Sequence, residues 1–349
     1  PVAAPSSGAG ESVAEAVVEV VVDEVEPPAP APPPEPVIST EPPAPAPMTT
    51  TPAEGPIVGL DLTGAGILAV ARVDSVAITE PDGAAPPVVA REYDEPVASM
   101  SWSPGEPSTL AVATGPRITL WRKSSNVLES VRTITCPEDV ALLNWSRRGL
   151  AAAADTEILV WDPDTGECVR TWRFSAGLKG ARLRALAWSP DGSRLAAGGS
   201  LGSIKLWGES DEEPSTVLSI APVGVRALAW SPDGDWLVSG DAAGGLRIWR
   251  LSDSSSQHIG QAHDAAVQTV SWSPDGKLLA SGSIDRRIRL WDAGSGRDQG
   301  VLKGHSGTVT ALCWTGDSHR LISGSVDGTI RQWDAANGTE VTASPPPHR

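Results

Sequence analysis

Five histidines, three cysteines and 43 carboxylates are the side chains from which a catalytic or metal site would be assembled in this 349-residue chain. Cys136, Cys168 and Cys313 are odd in number and unrelated in spacing, which suits neither a disulfide framework nor a zinc site; the reading is buried thiols in a reducing compartment. His258 and His263 have no Cys or carboxylate at ligand spacing between them, so two unrelated solvent-facing rings are expected rather than a metal pair. His319 falls in the turn after Trp314, and His348 in the Pro-rich C-terminal end. There is no Gly-rich phosphate loop opening a helix, no His-Glu-x-x-His and no Gly-x-Ser-x-Gly. The expectation is a protein that is not an enzyme, with no catalytic residue, no metal and no cofactor.

The formal charge of −16 argues against nucleic acid or an anionic membrane as a partner, because both are bound through clustered Lys and Arg. No run of eighteen apolar residues occurs, so no membrane span is expected, and a cytoplasmic location is. The chain opens without Met and without a basic segment followed by an apolar one, which suggests a piece of something longer.

Composition changes near residue 56. Residues 1–55 hold nine acidic residues, no Lys or Arg, and runs such as Pro27–Pro36 and Pro42–Pro47. Proline fixes φ and removes donors, so a disordered acidic Pro/Ala-rich tail or linker is expected there. Within it, Glu11–Glu26 interleaves Val with carboxylates; a docking motif and an apolar patch in a solvated linker both remain open. Residues 344–349 are expected to be a disordered C-terminus.

The remainder is a repeat. Fourteen Trp against one Tyr and one Phe imply one structural position used many times. Trp102, Trp145, Trp188, Trp230, Trp272 and Trp314 form one series, and Trp121, Trp161, Trp207, Trp249, Trp291 and Trp333 a second, both stepping by 40 to 46 residues. An alternating apolar segment precedes each Trp of the first series, as in Val225–Trp230, which is the period of a strand. Ser-Pro-Asp-Gly turns follow at Ser189–Gly192, Ser231–Gly234 and Ser273–Gly276, then second and third strands and a less regular fourth.

With Trp161-Asp162, Trp291-Asp292, Trp333-Asp334 and Gly304-His305 in phase, the sequence from about Ile57 to Trp333 resembles the WD-repeat (Trp-Asp repeat) β-propeller family. The resemblance implies an all-β fold, a seven-bladed propeller over residues 56–343. Six units carry both tryptophans; the first is degenerate, with strands at Ile57–Thr63, Ile67–Arg72 and Ser75–Thr79 and with Leu62 and Thr79 in the Trp places. Either Thr339–Ala343 or part of the tail would supply the outermost strand of the last blade.

The resemblance also implies a structural polar network: His305, Ser323, Asp327 and Trp333 in the last blade, and His263, Ser281, Asp285 and Trp291 in the one before. Elsewhere the set is incomplete: Ala243, Leu201 and Gly115 occupy the turn-Asp place, while Asp155 keeps it without a His.

The function implied is a non-catalytic protein-interaction scaffold that recruits partner proteins through its loop faces. The alternative is a regulatory or sensory C-terminal module of a larger signalling protein, a kinase or nucleotide-hydrolysing switch. On one face Lys179, Arg182, Arg184, Arg226, Arg286 and Arg287 come from consecutive blades; they are candidates for gripping an acidic or phosphorylated peptide, or are solvated arginines paired with nearby carboxylates. Asp211-Glu212-Glu213 would make the opposite face acidic.

Overall fold

The computed structural model describes residues 38–39, 55–79, 89–105, 108–124, 127–174, 182–219 and 223–343. These form seven antiparallel sheets, each built on a meander of four strands taken from one continuous stretch: 57–92, 97–135, 140–173, 183–219, 225–261, 267–303 and 309–343. The chain is a seven-bladed, all-β propeller. Among the described residues no helix is long and apolar enough to cross a membrane.

The degenerate first unit is a true blade. Leu62 pairs with Leu68 and Leu68 with Thr79, in the register that Trp102, Leu110 and Trp121 keep in the second blade. A fourth strand, Val89–Glu92, completes it. Second strands read as short apolar runs because both of their faces are covered; Gly149–Ala154 is buried throughout.

Every junction between neighbouring blades uses the same plug. The first residue of each inner strand is a buried aliphatic, namely Ile57, Val97, Val140, Leu183, Val225, Val267 and Val309. Each meets a small residue on the second strand of the preceding blade. These are Ala71, Ala113 and Ala153 in the first three blades. In the next three they are Gly198, Gly240 and Gly282, where an added Cβ would stand within 2.6 Å of the valine. The seventh is Gly324, whose Cβ would fall 2.7 Å from Ile57. The ring thus closes with the contact it uses everywhere else, helped by a Thr310 Oγ1–H bond to the Ile57 carbonyl at 2.7 Å.

The outermost strand of the last blade is Glu340–Ala343, from the C-terminal side, so no blade is shared between the two ends of the propeller. One part of the tail departs from expectation. Ile38–Ser39 pairs antiparallel with Val127–Thr135 as a fifth strand on the second blade, Ile38 opposite Ile134. An outer strand leaves unpaired N–H and C=O groups that any extended segment can satisfy. Apart from Gly55, the rest of the proposed tail, with Glu11–Glu26, and residues 344–349 lie outside the described residues.

A second regularity positions side chains on one face. Each inner strand carries a bulge at its second residue, shifting register between Val97 and Ser99, Leu183 and Ala185, Val225 and Ala227, and likewise in the other blades. A bulged residue leaves the ladder and is re-aimed. The residues so displaced are Val58, Ala98, Ala141, Arg184, Arg226, Gln268 and Thr310.

Candidate functional site

The histidine sets of the last two blades close into buried networks. In the seventh, His305 Nδ1 lies 3.1 Å from Asp327 Oδ2 and Nε2 lies 2.8 Å from Ser323 Oγ, while Trp333 Nε1–H donates to the same Oγ at 2.8 Å. In the sixth, His263 lies 2.9 Å from Asp285 and 2.8 Å from Ser281, and Trp291 donates to Ser281 at 3.0 Å. Burial pulls both imidazoles below their ordinary range, so they stay neutral at pH 7. Burial pushes the Asp327 carboxyl up, but hydrogen bonds from the Thr329 hydroxyl and backbone and from Ser306 outweigh it, and the group is held well below the usual range. Asp285 follows the same pattern, burial being overcome by bonds from the Arg287 backbone and from His263.

The connectivity Ser–His–Asp is that of a hydrolase triad. Here, though, Ser281 and Ser323 are 0% exposed and each Oγ already accepts an indole N–H, so neither is reachable by a substrate. The sets fasten the third strand to the turn beside it. Ser239 provides the same acceptor for Trp249 at 2.9 Å. Where Ala152 and Ala197 replace it, the buried Nε1 atoms of Trp161 and Trp207 have no hydrogen-bond partner among the described residues. Replacing Ser323 by alanine is expected to cost about 1–2 kcal/mol, because it strands one imidazole nitrogen as well as an indole N–H. Urea unfolding measures this, and an unchanged midpoint would show that the two groups find partners elsewhere.

Two expectations need correction. His263 is 1% exposed and belongs to the network, so of this pair His258, on Ser255–Gln261, is the solvent-facing ring. Asp155 does not hold the turn-Asp place. It starts a two-residue hairpin between Gly149–Ala154 and Glu157–Trp161 at φ 51°, where the last blade has four residues, so its carboxylate cannot reach the place of Asp327. The thiols divide: Cys136 is buried, whereas Cys168 and Cys313 are partly exposed, and all three are free. Burial raises the Cys136 thiol to about 12, which keeps it protonated and unreactive.

The antiparallel meander puts the start of each inner strand, the end of each outer strand and the turn between second and third strands on one face. Arg184 and Arg226, as bulge residues of adjacent blades, stand at the inner rim of that face. Arg182 precedes Arg184, and Arg286 sits at φ 69° on the turn of the sixth blade; both are exposed. Among the described residues, none of these four arginines holds an ion pair. Arg287 does, with Asp264 at 2.7 Å. Lys179 lies outside the described residues.

The basic arc has an acidic complement. The loops before the second and third inner strands present Asp94, Glu95, Glu138 and Asp139 at the place Arg182 takes in the fourth blade. One feature of this face was missed in the sequence. Val73, Leu201, Ile284 and Val326, all more than 40% exposed, sit on the turns after second strands in four blades. The signal was present as an aliphatic residue just past the second strand, where turn chemistry favours polar ones.

Residues 166–208, 213–250, 254–292 and 296–334 match the WD domain, G-beta repeat family. With the seven-bladed ring, these matches support a WD-repeat β-propeller, a family whose members serve generally as protein-interaction scaffolds and are generally non-catalytic. Over 123 residues the chain is 32% identical to Coronin-7 of Pongo abelii, a stretch that covers 32% of this chain and 13% of that relative. The chain thus spans only about an eighth of the length of the relative it matches.

Proposed function

We propose that residues 56–343 recruit partner proteins through the face that carries the turns between second and third strands. The partner segment is acidic or phosphorylated, and residues 1–55 act as a tether. One observation carries this reading: Arg182, Arg184, Arg226 and Arg286 hold no ion pair among the described residues, on the face whose turns also carry the exposed Leu201 and Ile284. Other exposed arginines of this acidic protein do meet carboxylates, as Arg117 meets Glu95 and Arg173 meets Glu157. Guanidinium groups left unpaired around apolar side chains offer a partner bidentate donors and a desolvated centre together. The net negative charge of the chain disfavours nucleic acid and anionic lipid in the same role.

An array of acidic and phosphorylated peptides tests this, probed with the wild type and with the triple variant Arg182→Glu, Arg184→Glu and Arg226→Glu. The variant is expected to lose its peptides by about tenfold or more while melting like the wild type, and wild-type binding should weaken with salt. Equal binding by a folded variant would make the arginines ordinary surface and place recruitment elsewhere.

A further inference from the structure

On the opposite face, where first strands turn into second and third into fourth, a groove of about 470 Å³ opens between the second and third blades. Arg122, Arg132, Arg147 and the half-buried Trp145 line it, with Asp164 at its edge. We propose that this groove binds a phosphate monoester, Arg122 and Arg147 gripping the phosphoryl oxygens against the indole of Trp145.

The repeats within the chain supply the comparison. Arg122 follows the third-strand Trp121. In three other blades that place holds Asp162, Asp292 or Asp334, whose carboxylates accept backbone N–H bonds from the next turn, at 2.8 Å from Asp164, 2.8 Å from Ser295 and 2.9 Å from Ala336. Arg147 and Arg148 form the turn after the first strand of the third blade. The last four blades carry Asp191, Asp233, Asp275 and Asp317 in that turn, each accepting a neighbouring hydroxyl and backbone N–H. Arg122 and Arg147 thus bring two cations to one groove, whereas three other blades carry aspartate after the third-strand Trp and four carry it in their longer turn after the first strand; Gly208 and Arg250 follow the Trp in the fourth and fifth blades. The corresponding groove between the fifth and sixth blades, about 230 Å³, is lined by Asp233 and Asp275.

A purely structural arginine would be tied down. Arg148, facing the next groove, pairs with Glu209. Arg194 lies 4.9 Å above the Trp230 ring and donates to the Gly234 carbonyl at 2.8 Å. Arg132 donates to the Thr165 carbonyl and, at 2.8 Å, to that of Asp164, which stiffens one wall. Arg122 and Arg147 are exposed and hold neither ion pair nor hydrogen bond among the described residues. Two untethered guanidiniums lining one groove match a dianion better than a single carboxylate, since each offers a planar fork of donors. The volume fits one phosphorylated side chain or one mononucleotide, and the indole provides an apolar face for either.

Calorimetric titration of the full chain tests the proposal, with inorganic phosphate, O-phospho-L-serine and adenosine 5′-monophosphate as probes. The wild type is expected to bind at least one monoester, and Arg122→Ala with Arg147→Ala to weaken it by about tenfold or more. Arg122→Lys with Arg147→Lys should lie between, because lysine keeps the charge and loses the fork. The triple variant of the other face should bind as the wild type, which separates this site from the recruitment surface. Preference for phosphoserine or for the nucleotide identifies the source of the phosphoryl group, both outcomes supporting the site. The proposal is overturned if no probe binds, or if the alanine pair, with an unchanged melting curve, binds as the wild type does.

Discussion

Replacing Gly324 by valine is expected to lower stability by about 3 kcal/mol or more and to open the ring between its last and first blades. Gly324 lies on Arg320–Ser325, and even a Cβ there would stand 2.7 Å from Ile57 Cγ2 and 3.1 Å from Leu60. Ile57 is β-branched and 0% exposed, so it has no rotamer into which to retreat. The same substitution at Gly240 or Gly282 meets an equally close valine, but there the chain runs on from blade to blade. At the seam no peptide connection holds the two blades while the packing relaxes. Pairing Gly324→Val with Ile57→Ala should cost less than the two single changes summed, because volume added on one side is removed on the other. Urea unfolding of the four proteins measures the cycle. Strict additivity would show that the seam does not depend on this contact.

Asp61→Asn is expected to stabilise the protein at pH 7 by about 2 kcal/mol. Asp61 projects from Ile57–Leu62 and accepts the backbone N–H of Trp102 at 2.7 Å and of Leu62 at 2.9 Å. Burial raises its pKa to about 6 against these hydrogen bonds, which pull it down. A folded-state value above the unfolded one means that the native protein binds the proton more tightly. Asp61 therefore favours folding most below pH 4, and that contribution is lost as pH climbs towards 6. A shift of about two units corresponds to roughly 3 kcal/mol, of which a lost acceptor for Leu62 returns about 1. The chain contains its own precedent: Asn144 holds the same place in the third blade, and its Oδ1 accepts the Trp188 N–H at 2.7 Å. Unfolding curves from pH 4 to pH 7 should show the two proteins converging at the acidic end. A constant difference across that range would mean that Asp61 ionises without penalty.

The parts legible in the sequence were those the repeat writes several times. Paired tryptophans set the register of six blades, and Leu62 and Thr79 sat at the right distance to place the seventh. His305, Ser323, Asp327 and Trp333 were picked out together because each stands at a fixed offset from the others, and the structure brings them within hydrogen-bond reach. What was hidden depends on the third dimension. Ile38–Ser39 is two residues among prolines, and its pairing is made by backbone groups that every residue carries. Asp155 was misplaced because a hairpin two residues shorter keeps the residue type while moving its carboxylate. Arg122 and Arg147 sit on different blades, and only the closing of the ring shows that they face one groove.

That each blade is cut from one uninterrupted stretch of chain bears on how the protein reaches its native state. Nearly all hydrogen-bonded pairs join residues within one repeat length or the next, so loop-closure entropy is small at every step. A blade has all its strands as soon as its own residues are available, and its neighbour packs on without waiting for the rest. The contacts that span the sequence lie at the seam of the last and first blades, among them the hydrogen bonds of Ile57 with Thr310 and of Arg72 with Gly328, more than 250 residues apart. Folding should therefore run blade by blade and end in a single slow step, the docking of the last blade onto the first, with an open horseshoe as the species that precedes it.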